Sequence, residues 1–158
     1  MNIIFLDIDG VLNSEEYFIK RNKTGYDEKY PLSEFDSEAV KRFNRIIKAT
    51  NASIVISSAW RIGRTTNQLK ELFKKVGING TIIGKTPSLK GRCRFGETVR
   101  GDEIQFWMLN SKVKFDNYVI LDDDNDMCKN QQNNFVKTMW KYGLKDWHVE
   151  DAIKILNK

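Results

Sequence analysis

Ile3-Ile4-Phe5-Leu6-Asp7-Ile8-Asp9-Gly10-Val11 sets four apolar side chains in a row against an acidic D-x-D-G. With no polar residue alternating through it, the run from Asn2 to Leu6 reads as a strand buried on both faces. Strands of that kind belong to parallel sheets covered by helices. The arrangement recurs at Tyr118–Leu121, which leads straight into Asp122-Asp123-Asp124-Asn125-Asp126. Open α/β sheets bind their ligands at the carboxyl ends of the strands. Two acidic clusters at the ends of neighbouring strands would therefore face one another.

Around these two stretches, strand and helix patterns alternate. Asp36 or Ser37 can cap a helix that carries Val40, Phe43 and Ile47 on one face. Ser53–Ser57 is rich in β-branched residues and predicts a second buried strand. Leu69, Leu72, Phe73 and Val76 define another helical face, with Gly77 suited to end that helix. Thr81–Ile83 reads as a third strand, Asp102–Leu109 as a helix carrying Ile104, Trp107 and Met108, Phe135–Thr138 as a fifth strand and Val149–Leu156 as a last helix. The order predicts an α/β, Rossmann-like fold: a five-stranded parallel sheet with helices on both faces and the first and fourth strands adjacent at its centre. Asn13–Ser33 and Lys85–Val99 are left as long irregular segments, of the kind that often carries function. No repeat, linker or shift of composition divides the chain, so one domain over residues 1–158 is expected.

Bulk properties narrow the classes. At 158 residues, 41% hydrophobic and 30% charged, the chain can bury a core and is not of disordered composition. Its apolar runs fall far short of the roughly 20 residues that span a bilayer, and Ile3–Leu6 meets an aspartate too soon for a signal-peptide core. The expectation is a cytoplasmic protein, or one of a host cytoplasm if the source is a phage or virus, with no membrane partner. Cys93 and Cys128 make neither a disulfide framework nor a zinc-ligand spacing. A net charge of +5 favours polyanionic partners.

Facing carboxylates repel and raise one another's pKa. A hard divalent cation such as magnesium, which takes oxygen ligands, resolves the conflict. Solvated loop acids are the plainer explanation for one such cluster, but two clusters, each behind an apolar strand, argue for a shared metal. A calcium loop starting at Asp122 would need Gly at its sixth position and Glu at its twelfth, where this chain has Met127 and Asn133.

F-L-D-I-D-G-V-L resembles the first motif of the haloacid-dehalogenase (HAD) superfamily, and V-I-L-D-D-D-N-D-M its fourth. The second motif, a Ser or Thr at the end of the second strand, has Ser58 or Ser57 as its counterpart, with Ser58 at the tip preferred. The third, a Lys or Arg upstream of the last acids, has Arg100 in R-G-D-E-I, with Lys112 or Lys114 as fallback; Arg departs from the commoner Lys. The resemblance implies a phosphatase in which Asp7 attacks phosphorus and forms an aspartyl-phosphate. Asp9 would protonate the leaving oxygen and then activate water. Magnesium would sit between Asp7, the backbone carbonyl of Asp9, Asp122 and Asp123, with Asp126 orienting the ligands from behind. Ser58 and Arg100 would hold the phosphoryl oxygens, and Gly10 would let the chain turn beside the phosphate.

Larger members of that superfamily carry a cap domain over the site. The gaps between motifs here leave no room for a full cap, which suits a large substrate. S-S-A-W-R, R-G-D-E-I and D-D-D-N-D-M together resemble, more specifically, the HAD domain of multifunctional RNA-repair (Swiss Army Knife) proteins, a relative of polynucleotide 3'-phosphatases. That implies a nucleic acid end as substrate, a 3'-phosphate foremost, and a repair kinase or ligase as partner. Arg61, Arg64, Lys85, Lys90, Arg92 and Arg94 are the expected phosphate-tracking groups. Trp60 or Phe95 offers a stacking face, although packing is the simpler role for Trp60. Trp107, Trp140 and Trp147 are expected in or near the core, and His148 away from the chemistry. Two alternatives differ in class: a phosphatase of small metabolites or nucleotides, and a non-catalytic nucleic-acid or protein-binding module. The intact Asp7 and Asp9 argue against the second. A phosphorylation-receiver domain is set aside because it lacks D-x-D-G.

Overall fold

In the computed structural model, residues 1–25, 29–89 and 99–158 are described. Five parallel strands, β1 (Ile3–Leu6), β2 (Ser53–Ile56), β3 (Ile82–Lys85), β4 (Tyr118–Asp122) and β5 (Phe135–Lys137), form one sheet in the order β3-β2-β1-β4-β5. β1 lies between β2 and β4, with Leu6 paired to Ile56 on one side and Leu121 on the other. The predicted centre of the sheet is therefore the observed one.

The unbroken apolar strands are explained by what covers them. Ile4 and Leu6 point into a cluster with residues of α2 (Ser37–Thr50), α3 (Thr66–Val76) and α5 (Asp146–Leu156). Ile3 and Phe5 point the other way, towards Ile104 and Trp107 of α4 (Arg100–Asn110). Phe5 meets the edges of Trp107 and Tyr118 at ring distances of 5.4 and 5.9 Å. Removing a buried ring so enclosed costs about 3–5 kcal/mol. The helix ends follow local chemistry: Asp36 caps α2 through Glu38 N, Thr65 and Gln68 form a capping box on α3, and Gly77 ends α3 at φ 86°.

The segment expected to be irregular from Asn13 to Ser33 contains a helix, α1 (Glu15–Thr24). No residue of α1 is buried, so its apolar residues carry no core-facing period. Its ends hold it instead: Ser14 caps Tyr17 N, Glu15 and Glu16 occupy the first turn, and Gly25 closes it in the left-handed conformation. Glu15 N and Glu16 N also donate to the carbonyls of Trp140 and Lys141. The Trp140 segment is thus recruited by its backbone, and Trp140 and Trp147 stand 45% and 59% exposed, outside the core. Among the described residues the insertions between strands add no further sheet over the strand ends, and no helix is long and apolar enough to cross a membrane.

Candidate active site

The carboxyl ends of β1 and β4 meet as the parallel register requires. Asp7 N donates to Leu121 O at 2.9 Å, carrying the ladder one residue past β1 and setting Asp7 beside Asp122. Carboxylate oxygens of Asp7, Asp122 and Asp123 all lie within 4.8 Å of one another. Gly10, at φ 72°, turns the chain back under them. A Cβ at Gly10 would run into the Asp123 side chain, so the glycine makes room for an acid rather than only for a phosphate. Thr138, buried just past β5, ties both clusters together: its N donates to Asp122 O and its hydroxyl to Gly10 O at 2.7 Å.

Burial and mutual repulsion dominate the electrostatics. Desolvation, with Asp7 next, pushes Asp122 up to about 8. Asp123 is raised to about 6 for the same two reasons in the same order. Desolvation also raises Asp7, against the opposing pull of Arg100 and of the Ser58 hydroxyl that faces it. Among the described residues Arg100 is the cation paired with these acids, with Nη2 3.7 Å from Asp7 Oδ2 and Nε 3.9 Å from Asp122 Oδ2. These are ion-pair distances too long for hydrogen bonds. Arg100 Nη1 and Asp122 Oδ2 are both buried without a hydrogen-bond partner among the described residues. A donor set of three carboxylates, one of them with an orphaned oxygen, fits a hard cation.

The Asp9 carboxylate stands apart from that cluster. Its Oδ1 accepts from Asn13 Nδ2 at 2.9 Å and its Oδ2 from Trp60 Nε1 at 3.0 Å. Asn13 in turn donates to Glu34 O and accepts from Gly10 N. Both clamps escaped the sequence reading. The sequence offers Trp60 as a packing or stacking ring, and it does pack, against Phe35. Only a fold that sets the turn after β2 beside the loop after β1 gives its indole N–H an acid to hold. For Asn13, four residues past Asp9, no sequence signal separates it from any loop asparagine.

The remaining residues divide plainly. Ser58 and Ser57 are fully buried; Ser58 caps the short turn Ala59–Arg61 and faces Asp7, while Ser57 Oγ has no partner. Arg100 begins α4 at the site, whereas Lys112 and Lys114 lie past the far end of that helix. Asp126 accepts from Arg100 N at 2.7 Å, fixing the start of α4 rather than joining the three acids. Arg61, expected at the mouth of the site, is instead buried. Its guanidinium pairs with Glu103 and donates to the carbonyls of Ser58, Thr86 and Pro87. Lys85 is likewise turned inward, donating to Arg61 O at 3.1 Å. Arg64 remains half-buried over the Trp60 ring. Lys90 and Arg92, with Arg94 and Phe95, lie outside the described residues. His148 sits at the start of α5, where its Nδ1 accepts from Lys145 N.

Residues 3–149 match the family described as the HAD domain in Swiss Army Knife RNA repair proteins. No curated protein and no solved structure matches the chain. The match spans nearly the whole chain and includes both acidic clusters, Ser58 and Arg100; the chain belongs to this family.

Proposed function

We propose that this member of the HAD-domain family of RNA repair proteins is a magnesium-dependent phosphomonoesterase acting on a phosphorylated nucleic acid end, foremost a 3'-phosphate. The observation that carries the reading is the division of labour among four aspartates. Three gather beside Arg100, while Asp9, two residues from the nucleophile, is held separately by neutral donors.

In the reaction, a carboxylate oxygen of Asp7 forms a bond to phosphorus as the bond to the leaving oxygen breaks. Asp9 gives its proton to that oxygen, releasing the alcohol. The resulting aspartyl-phosphate is attacked by water, whose proton returns to Asp9, and phosphate leaves with Asp7 restored. Arg100, whose Nη1 has no hydrogen-bond partner among the described residues, and the Ser58 hydroxyl bind the phosphoryl oxygens through both steps. Asp7, the Asp9 carbonyl, Asp122 and Asp123 would hold magnesium, which would supply charge neutralisation between two anionic reactants. A nucleic acid end is supported by the family's setting and by the absence, among the described residues, of a further sheet over the site. A cytoplasmic enzyme working beside a repair kinase or ligase belongs to the same reading.

The test is phosphate release from a 3'-phosphorylated oligonucleotide with and without magnesium, against 5'-phosphorylated and mononucleotide controls. The expected result is metal-dependent release from the 3' end that disappears in Asp7→Asn. Release from mononucleotides alone would replace the repair role by a metabolic one, and full activity of Asp7→Asn would remove Asp7 as nucleophile.

A further inference from the structure

A groove of about 640 Å³ has Lys29, Tyr30, Pro31, Arg64, Leu72 and Lys75 on its walls, and two of these, Tyr30 and Arg64, pack on Trp60. Tyr30 is 66% exposed, unusual for an aromatic ring that is also held in place. From behind, it stacks on Trp60 with an interplanar angle of 27° and ring centres 6.0 Å apart. At its edge, its hydroxyl accepts from Arg64 Nη2 at 2.9 Å. Arg64 is itself fixed, 5.0 Å over the Trp60 ring and donating to Trp60 O at 3.1 Å. Since Trp60 holds the Asp9 carboxylate, the Tyr30–Arg64 pair stands one ring away from a reacting group.

From this rim the groove follows α3 from Asn67 to Lys75, a rise of about 12 Å at 1.5 Å per residue. That length accommodates about three nucleotides stacked at 3.4 Å. Among the described residues its charged lining is Lys29, Arg64 and Lys75 with Glu71, an excess of positive charge, while Asn67 and Gln68 add polar groups beside Tyr30, Pro31 and Leu72. A planar ring with a guanidinium beside it suits a nucleobase, and flanking cations suit the backbone that carries it.

We propose that this groove binds the single-stranded nucleotides adjoining the phosphorylated end, with the base nearest the scissile phosphate stacked on Tyr30. The proposal rests on the phosphatase reading for the position of that phosphate, and it adds the residues that select a polynucleotide over a small ester.

The experiment has two readouts. In the first, kcat/KM is measured for a 3'-phosphorylated single-stranded oligonucleotide and for p-nitrophenyl phosphate, and their ratio is compared in the native protein, Tyr30→Ala, Tyr30→Phe and Lys75→Glu. The ratio should fall about 5- to 100-fold in Tyr30→Ala, as expected for one lost base stack. It should be retained in Tyr30→Phe and fall several-fold in Lys75→Glu. In the second, the same groove substitutions are made in Asp7→Asn and the affinity for the fluorescently labelled oligonucleotide is read by anisotropy, with poly-glutamate as competitor. Affinity should fall with Tyr30→Ala by a similar factor and resist the competitor. Unchanged affinity in Tyr30→Ala would overturn the groove even with a fallen ratio, which would then report Trp60 and Asp9, as would displacement by poly-glutamate at equal charge concentration. Absence of phosphate release from every substrate would instead overturn the phosphatase reading, and the binding measurement would still decide the groove.

Discussion

Trp60 Nε1 and Asn13 Nδ2 each occupy one oxygen of Asp9, leaving that carboxylate two fixed donors and little rotational freedom. Hydrogen bonds to a charged group contribute about 1.5–3 kcal/mol, so Trp60→Phe should lower kcat/KM, which reports departure of the leaving group, about 10-fold or more on an alkyl phosphate. The same change should matter much less for p-nitrophenyl phosphate, whose leaving group needs no proton. Equal losses on both substrates would show that Trp60 acts through packing alone. Gly10 makes a different prediction. Its φ of 72° costs a side chain about 1–2 kcal/mol, and a Cβ there also displaces Asp123. Gly10→Ala should therefore raise the magnesium concentration needed for half-maximal activity by at least about 10-fold, measured by metal titration of phosphate release.

The turn after β2, the end of β3 and the start of α4 are bound together by Arg61, whose buried pair with Glu103 is reinforced by three carbonyls and by Leu89 N on Glu103. Breaking a buried pair by removing one partner costs about 3–5 kcal/mol because the other charge is stranded. Arg61→Ala should lower the thermal midpoint by of order 10 °C, and Arg61→Met with Glu103→Leu should recover much of that in the same melting experiment. This brace was invisible in the sequence, where Arg61 looked like one more surface cation beside Arg64. Strands β1 and β4 were legible because burial on both faces leaves an unbroken apolar run. Helices α2 and α3 were legible because each buries one face and has a recognisable cap or stop. Helix α1 was not, since it buries nothing and depends on carbonyls from the Trp140 segment. Within the site, the acids could be read from position alone. Their supports, Asn13, Trp60 and Thr138, act through contacts between distant segments that no spacing encodes.

Taken as a whole, the molecule holds clustered carboxylates at a cost that depends on pH. Asp122 is raised from its ordinary value to about 8 and Asp123 to about 6. A folded-state pKa above the unfolded one means that the native state keeps protons the unfolded state has lost. Without metal, stability is thus greatest at the acidic end of the window and declines as pH rises from about 4 to about 8. Thermal melts in chelator should follow that decline, and added magnesium should flatten it; a melting temperature rising across this range without metal would contradict the assignment. Asp7→Asn should raise the metal-free midpoint at neutral pH by removing one member of the repelling set. The pairing of Leu6 with Leu121 carries one more consequence. Asp7 and its partner acids are separated by most of the chain, so closing β1 against β4 spans a loop of more than a hundred residues and brings like charges together in the same act. Refolding should consequently be slowed by those charges and hastened by magnesium, and any chain cut short of β4 carries Asp7 with nothing opposite it.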